Sequence, residues 1–173
     1  MSNKGYVHVY TGNGKGKTTA AFGLALRAAG AGLRVYIAQF VKGMAYSELD
    51  AFSRFSETIT IRQFGRDCFI RHEPTRDDMA AARKGLDEVR QVINAGLWDV
   101  VVLDEANIAV LFGLFSIAEL LALIDEKPES MELVVTGRYA HSRLIERADL
   151  VTEMKEVKHY YARGVPARIG IEN

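Results

Sequence analysis

A chain of 173 residues with 49% hydrophobic composition is long enough for one domain with a complete core. Its 22 Lys and Arg balance 22 Asp and Glu, so the formal net charge of +0 gives no electrostatic ground for bulk binding to nucleic acid or to an acidic membrane surface. The single cysteine, Cys68, excludes an internal disulfide and fits a reducing cytoplasm; there is no leader-like N-terminal segment and no apolar run of the roughly 18 residues that span a bilayer.

Tyr6 to Tyr10 alternate and predict a first strand over residues 6–11. Gly12-Asn13-Gly14-Lys15-Gly16-Lys17-Thr18-Thr19 follows, and a helix rich in small residues is predicted over 18–31, ended by Gly30 and Gly32. Strand, glycine-rich turn, Lys-Thr and helix make a phosphate-cradling loop. The glycines turn successive backbone N–H groups toward one anion, and the helix adds its own free N–H groups and positive dipole end. Lys17 then neutralises phosphate charge and the Thr18 hydroxyl ligates Mg²⁺. The strict spacing G-x-x-x-x-G-K-[ST] is broken, because Thr11 stands where the first glycine is expected. An ordinary glycine-rich turn is the plainer alternative. Lys15 either adds a phosphate contact or points to water.

Further strands are predicted over residues 34–40, 58–64, 99–105, 132–138 and 150–154, the last of them as a central strand. Between them, Ser47 reads as the cap of a short helix through Phe55, and Thr75 with Asp77 and Asp78 opens a long helix ending near Ala95-Gly96. In that helix Met79, Ala82, Leu86, Val89 and Ile93 define a buried face. Ser116 and Glu119 form a capping box for a helix through Ile124, and His141 to Ala148 is a short helix. Lys155 to Asn173 is a tail without strong periodicity, in which His159 reads as a structural hydrogen-bonding residue. The expected fold is α/β: one domain over residues 1–173, with a mostly parallel sheet and helices on both faces. Right-handed crossovers place the loops Gly12–Thr18, Gln39–Gly43, Gly65–Phe69, Asp104–Asn107 and Gly137–Arg138 along one crevice at the carboxyl ends of the strands.

Asp104 and Glu105 end a strongly apolar strand, where a carboxylate can hold Mg²⁺ directly or through water, and a second can ligate the metal or act as a base. Arg138 either presents a guanidinium to phosphates or is a surface arginine. Arg27, two to three turns into the first helix, suits sugar or base better than phosphate, with a solvated helix face as its alternative. Phe69, in an apolar tip among Arg66, Asp67 and Arg71, either meets a flat apolar ligand or packs back on the core.

These residues resemble a known family, the P-loop ATP:corrinoid adenosyltransferases. The resemblance rests on Thr11 to Gly23, Gln39-Phe40-Val41-Lys42-Gly43, Val101 to Glu105, Val135-Thr136-Gly137-Arg138, Glu156 to His159 and Gly164 to Glu172. It implies a P-loop NTPase-like, RecA-like fold and a reaction in which a Co(I) corrinoid attacks C5′ of ATP, releasing triphosphate and making adenosylcobalamin. It also implies phosphate binding by Gly12, Asn13, Gly14, Lys15, Gly16, Lys17, Thr18 and Thr19, metal ligation by Thr18 and Glu105 with Asp104 as the alternative, a nucleotide contact from Arg27 and a phosphate contact from Arg138. Phe69 would contact the corrinoid. ATP, Mg²⁺ and corrinoid are the implied small molecules, a flavodoxin or flavin reductase the implied electron donor, and a cytoplasmic homodimer the implied state, with no nucleic acid or membrane partner. Two features depart from the family: only Met1-Ser2-Asn3-Lys4 precede Gly5, so a lid over the corrinoid is expected from elsewhere, and Gly65–Phe69 lacks an aromatic pair. The rival readings are a P-loop ATPase or small-molecule kinase, and a non-catalytic nucleotide switch. A GTPase is disfavoured, since no N-K-x-D occurs.

Overall fold

The computed structural model describes residues 4–44, 46–66 and 73–172. Strands and helices alternate along them: β1 (Val7–Thr11), α1 (Lys17–Gly30), β2 (Val35–Phe40), α2 (Ser47–Ser53), β3 (Ile59–Phe64), α3 (Arg76–Ala95), β4 (Val100–Asp104), α4 (Ala106–Leu111), α5 (Ile117–Asp125), β5 (Glu132–Thr136), α6 (Ser142–Arg147) and β6 (Leu150–Glu153). The strands form one sheet in the order β3-β2-β4-β5-β1-β6, with every neighbouring pair parallel. Parallel pairing sends every carboxyl end to the same edge, so the loops after β1, β2, β4 and β5 do share that edge.

Two-sided burial explains why β2 and β4 are apolar without alternation. Val35, Ile37, Val100, Val102 and Val134 face α1 and α2, where Ala21, Ala25 and Ala28 let α1 lie close and Phe22 meets Phe52 edge-on at 5.2 Å. On the other face Tyr36, Phe40, Val101, Leu103 and Val135 pack beneath α3, α4, α5 and α6. Each fully buried aliphatic side chain here contributes about 1.5–3 kcal/mol.

The same alternation fixes where polar groups gather. Gln39 lies two residues beyond Ile37, Asp104 two beyond Val102 and Thr136 two beyond Val134, so all three face α1. Gln39 is in register with Asp104, Leu103 with Val135 and Thr136 with Tyr10, which puts the three side by side at the carboxyl edge.

Local signals are realised where expected in α3 and α5. Thr75 and Asp78 form a full capping box at α3, and Ser116 and Glu119 another at α5. Four expectations are corrected. Met79 is 40% exposed and lies outside the buried face of α3. Ser47 is the first helical residue of α2 and Tyr46 its extended N-cap, with the helix ending at Ser53. The strand over 150–154 is an edge strand: β6 pairs with β1 on one side, and its four residues are all exposed. The helix α4 was not expected, because it starts directly after a left-handed residue with no capping side chain. In the tail, His159 accepts the Tyr161 N–H at 3.1 Å and caps a 3₁₀ turn over Tyr160–Arg163, as its structural reading expects.

Candidate active site

The turn after β1 is built by close backbone approach. Gly12 has φ 96°, and a Cβ there would fall 2.4 Å from the Met154 carbonyl oxygen. The Gly14 N–H donates to that oxygen at 2.7 Å, so the chain just past β6 braces the loop. Thr11 departs from the strict motif because it still belongs to β1; its hydroxyl accepts the Ala140 N–H at 3.2 Å and ties the loop strand to the exit of β5. Gly16, with φ 116°, is the N-cap of α1 and offers no side-chain cap. Unlike α3 and α5, this helix therefore presents its first N–H groups to whatever anion fills the loop. Lys17 is buried and its ammonium donates to the Gly14 carbonyl at 2.6 Å, folding the side chain back over the loop. Burial pushes its pKa down, and Arg138 adds to that; Glu105 and Asp104 oppose it.

Beside the loop, Asp104 is fully buried and accepts four donors. Oδ1 receives the Thr18 hydroxyl at 2.8 Å and the Thr136 hydroxyl at 2.7 Å. Oδ2 receives Gln39 Nε2 at 3.2 Å and Lys42 Nζ at 2.9 Å. Burial pulls the Lys42 pKa down, but the charge and hydrogen bond of Asp104 outweigh it and leave the ammonium above its ordinary value. Glu105 differs from its neighbour. Its backbone is left-handed (φ 58°), its N–H donates to Thr136 Oγ1 at 3.0 Å, and no hydrogen bond to its carboxylate is made among the described residues. Burial, and then the charge of Asp104, push its pKa up, while Lys42, Lys17 and Arg138 pull it down.

Val41 (φ 62°), Glu105 (φ 58°) and Tyr139 (φ 58°) hold left-handed backbone without being glycine, each just past the end of a strand at this edge. Such residues cost about 1–2 kcal/mol apiece and concentrate where function constrains the chain. Gly137 has φ 128°, and a Cβ there would sit 3.2 Å from a Glu105 carboxylate oxygen and 2.9 Å from Asn107 Cβ. Asn107 is buried and donates to the Gly137 carbonyl at 2.9 Å, while its Oδ1 has no partner among the described residues.

Of the residues singled out from the sequence, the loop, Lys17, Thr18, Asp104, Glu105 and Arg138 share this edge, with Arg138 exposed and close enough to act electrostatically on Lys17 and Glu105. Asn13 and Thr19 are exposed beside them. Lys15 takes neither of its two expected roles. It donates to Glu172 Oε1 and the Ile171 carbonyl, both at 2.7 Å, and to the Tyr160 hydroxyl at 3.3 Å. Arg27 is exposed in the last turn of α1, about 15 Å along the helix from Lys17 at 1.5 Å per residue. Phe69 and Cys68 lie outside the described residues. Gln39, Lys42, Thr136 and Asn107 were not singled out as site residues; for Gln39 and Thr136 the available signal was a polar residue near the end of an otherwise apolar strand.

The oxygen donors fit a hard divalent cation: a hydroxyl and two carboxylates meet at the loop, and one carboxylate is free of hydrogen bonds among the described residues. No cluster of three His, Cys, Asp or Glu side chains suited to a metal occurs among the described residues, so such an ion would take its remaining ligands from water and phosphate. No helix among them is long and apolar enough to cross a membrane.

Comparison with known proteins places the fold and the family. In fold, the chain is similar to a KaiC-like protein, PH0186, of Pyrococcus horikoshii, with a TM-score of 0.59 over 88% of this chain and 73% of that one, at 19% identity. In sequence, it is 38% identical to a corrinoid adenosyltransferase of Pseudomonas aeruginosa over 98% of this chain and 84% of that protein. It is 35% identical to a corrinoid adenosyltransferase of Escherichia coli over 99% of this chain and 87% of that protein. The family described as ATP:corrinoid adenosyltransferase BtuR/CobO/CobP matches residues 3–173. That match over residues 3–173, together with relatives 35–38% identical over nearly the whole chain, shows that the chain belongs to the ATP:corrinoid adenosyltransferase family.

Proposed function

We propose that the reaction is attack of a Co(I) corrinoid on C5′ of ATP. The Co–C bond forms, the C5′–O bond breaks, and the electron pair leaves on the oxygen of triphosphate, giving adenosylcobalamin or its precursor. The observation that carries this reading is the cradle itself: the bare N-terminus of α1, with Lys17 buried against it, offers positive charge to a leaving polyphosphate. Cobalt is the nucleophile, so no protein base is required. The Asp104 carboxylate suits that, since four donors already occupy its two oxygens.

The loop from Gly12 to Thr19, with the Lys17 side chain, binds the phosphates, joined from the side by Arg138; the Gly14 N–H is taken by the Met154 carbonyl, so that residue serves by its bare Cα. Thr18 and Glu105 would hold Mg²⁺, with Asp104 acting behind them; the ion supplies charge neutralisation on the phosphates. The family holds ATP reversed relative to other P-loop proteins, which turns C5′ outward to the corrinoid; Arg27 and Phe69 are the nucleotide and corrinoid contacts of the same reading. A flavodoxin or flavin reductase supplies the electron, and the enzyme works as a cytoplasmic homodimer of a single domain.

The test is anaerobic incubation of the protein with ATP, Mg²⁺ and chemically reduced cobalamin. Loss of the Co(I) spectrum with equimolar triphosphate is expected, and Lys17→Ala should lower the rate at least ~10²-fold. Release of ADP or inorganic phosphate with the Co(I) spectrum unchanged would establish an ATPase or kinase instead.

A further inference from the structure

Lys42 is a half-buried cation that the reaction above leaves without a task. Its plainest role is counter-ion to Asp104, yet that carboxylate already accepts three uncharged donors, from Thr18, Thr136 and Gln39. The backbone takes trouble to bring a fourth. Val41 is β-branched and left-handed (φ 62°), immediately before Lys42. The turn is also interlocked with the exit of β3: a Cβ on Gly65 would lie 2.4 Å from the Lys42 nitrogen, and one on Gly43 would lie 2.5 Å from the Arg66 carbonyl carbon. Only two bare Cα positions allow this approach. Its product is an ammonium on the Asp104 oxygen that Thr18 does not use, 5.3 Å from the centre of the Tyr46 ring. The Lys42 side chain is 15% exposed against 0% for Asp104, so it borders the crevice while its partner does not. An ammonium carries three donors, and Lys42 makes one hydrogen bond among the described residues. Lys17, Lys42 and Arg138 also outnumber Asp104 and Glu105, a charge balance that suits a polyanion.

We propose that Lys42 is a second phosphate-binding residue, which grips the triphosphate of the nucleotide from the β2 side of Asp104 while Lys17 grips it from the loop side. This rests on the polyphosphate cradle described above. A lysine held by one carboxylate bond keeps two donors for an anion, and its charge is strengthened by the low-dielectric surroundings it shares with Asp104.

Binding of inorganic tripolyphosphate to the full chain in EDTA, followed by titration calorimetry, tests it without metal or turnover. Wild type is expected to bind, and Lys42→Met to bind about tenfold more weakly. Because Lys42→Met exposes tripolyphosphate to an uncompensated Asp104, the deciding pair is Asp104→Asn against Asp104→Asn/Lys42→Met. Neither of these carries a buried unpaired carboxylate, and the double variant carries no buried charge at this position at all, which keeps it foldable. A further loss of about fivefold or more on adding Lys42→Met to Asp104→Asn supports phosphate contact. Equal affinities of the two would overturn it and leave Lys42 a counter-ion, as would a wild type that does not bind tripolyphosphate. Wild-type binding without consumption of Co(I) cobalamin would strike the adenosyl-transfer reading alone.

Discussion

The phosphate loop is flanked by two lysine–carboxylate pairs that look alike and are not. On its inner side Lys42 meets Asp104 at 2.9 Å, with side-chain exposures of 15% and 0%. On its outer side Lys15 meets Glu172 at 2.7 Å, with exposures of 39% and 18%. The shorter pair is the weaker one. Around Glu172 water screens the charges, and the hydrogen bonds of Arg168, Lys15 and Tyr160, in that order, hold its carboxyl well below the usual range without making the pair a strong tether. Around Asp104 the medium is protein, so each charge depends on the other. The comparison teaches that distance ranks neither strength nor role here; burial does.

Removing a partner should separate the two pairs most. Asp104→Ala strands the Lys42 ammonium and should cost about 3–5 kcal/mol in urea unfolding. A loss under ~1 kcal/mol would show that Lys42 swings out to water, and the inner pair would then resemble the outer one. Thr136→Val comes next. Its hydroxyl both donates to Asp104 and accepts the Glu105 N–H, so the change leaves two buried groups short of a partner and should cost about 1–3 kcal/mol. A smaller loss, read from the same denaturation series, would mean that water replaces the hydroxyl.

A pH series sharpens the contrast between environments. Glu105 has its folded pKa raised above 4.5, so the folded chain keeps a proton that the unfolded chain has released. Stability without metal should therefore fall as pH rises from 4.5 through the raised value, and level off above it. Glu119, capping α5 at the surface, has the opposite sign: its pKa is lowered to about 2, so its contribution is complete above 4.5 and is lost as pH falls toward 2. Glu105→Gln should abolish the first slope and spare the second; an unchanged profile in urea unfolding would refute the assigned environment. The smallest effect belongs to the outer pair. Glu172→Gln should move the melting temperature by no more than about two degrees, an effect that about 1 M salt should erase. A drop well beyond that would promote the tail to a structural clamp on the loop.

How far the sequence reached follows from what each feature needs. The helix start at Thr75 and the capping box at Ser116 are local, each within four residues, and were readable. So were β2 and β4, whose unbroken apolar runs need only the rule that both faces are covered. Asp104 and Thr18 were picked out by motif, but the ring around Asp104 was not, because it depends on β4 lying between β2 and β5, an order that differs from the order along the chain. Once that adjacency is known, Gln39 and Thr136 follow from counting in twos. Lys42 needs the left-handed turn at Val41 as well, which no residue type announces. Lys15 was beyond reach for the same reason at greater range, since its partner Glu172 is 157 residues away.

The placing of β1 has a consequence for the order in which the molecule can be made. Val7 pairs with Leu133 and His8 with Leu150, the Gly5 N–H donates to the Glu129 carbonyl, and the Gly14 N–H to that of Met154. Of the six described strands, the one synthesised first thus finds both of its neighbours in the two synthesised last. Until then β2, β3 and β4 can pair among themselves, but the glycine-rich loop has no floor and its N–H groups no common direction. Closing so long a chain segment is entropically slow, as parallel pairing generally is. An anion at that loop would therefore find no site on a half-made chain; the shaped loop and the finished sheet arrive together.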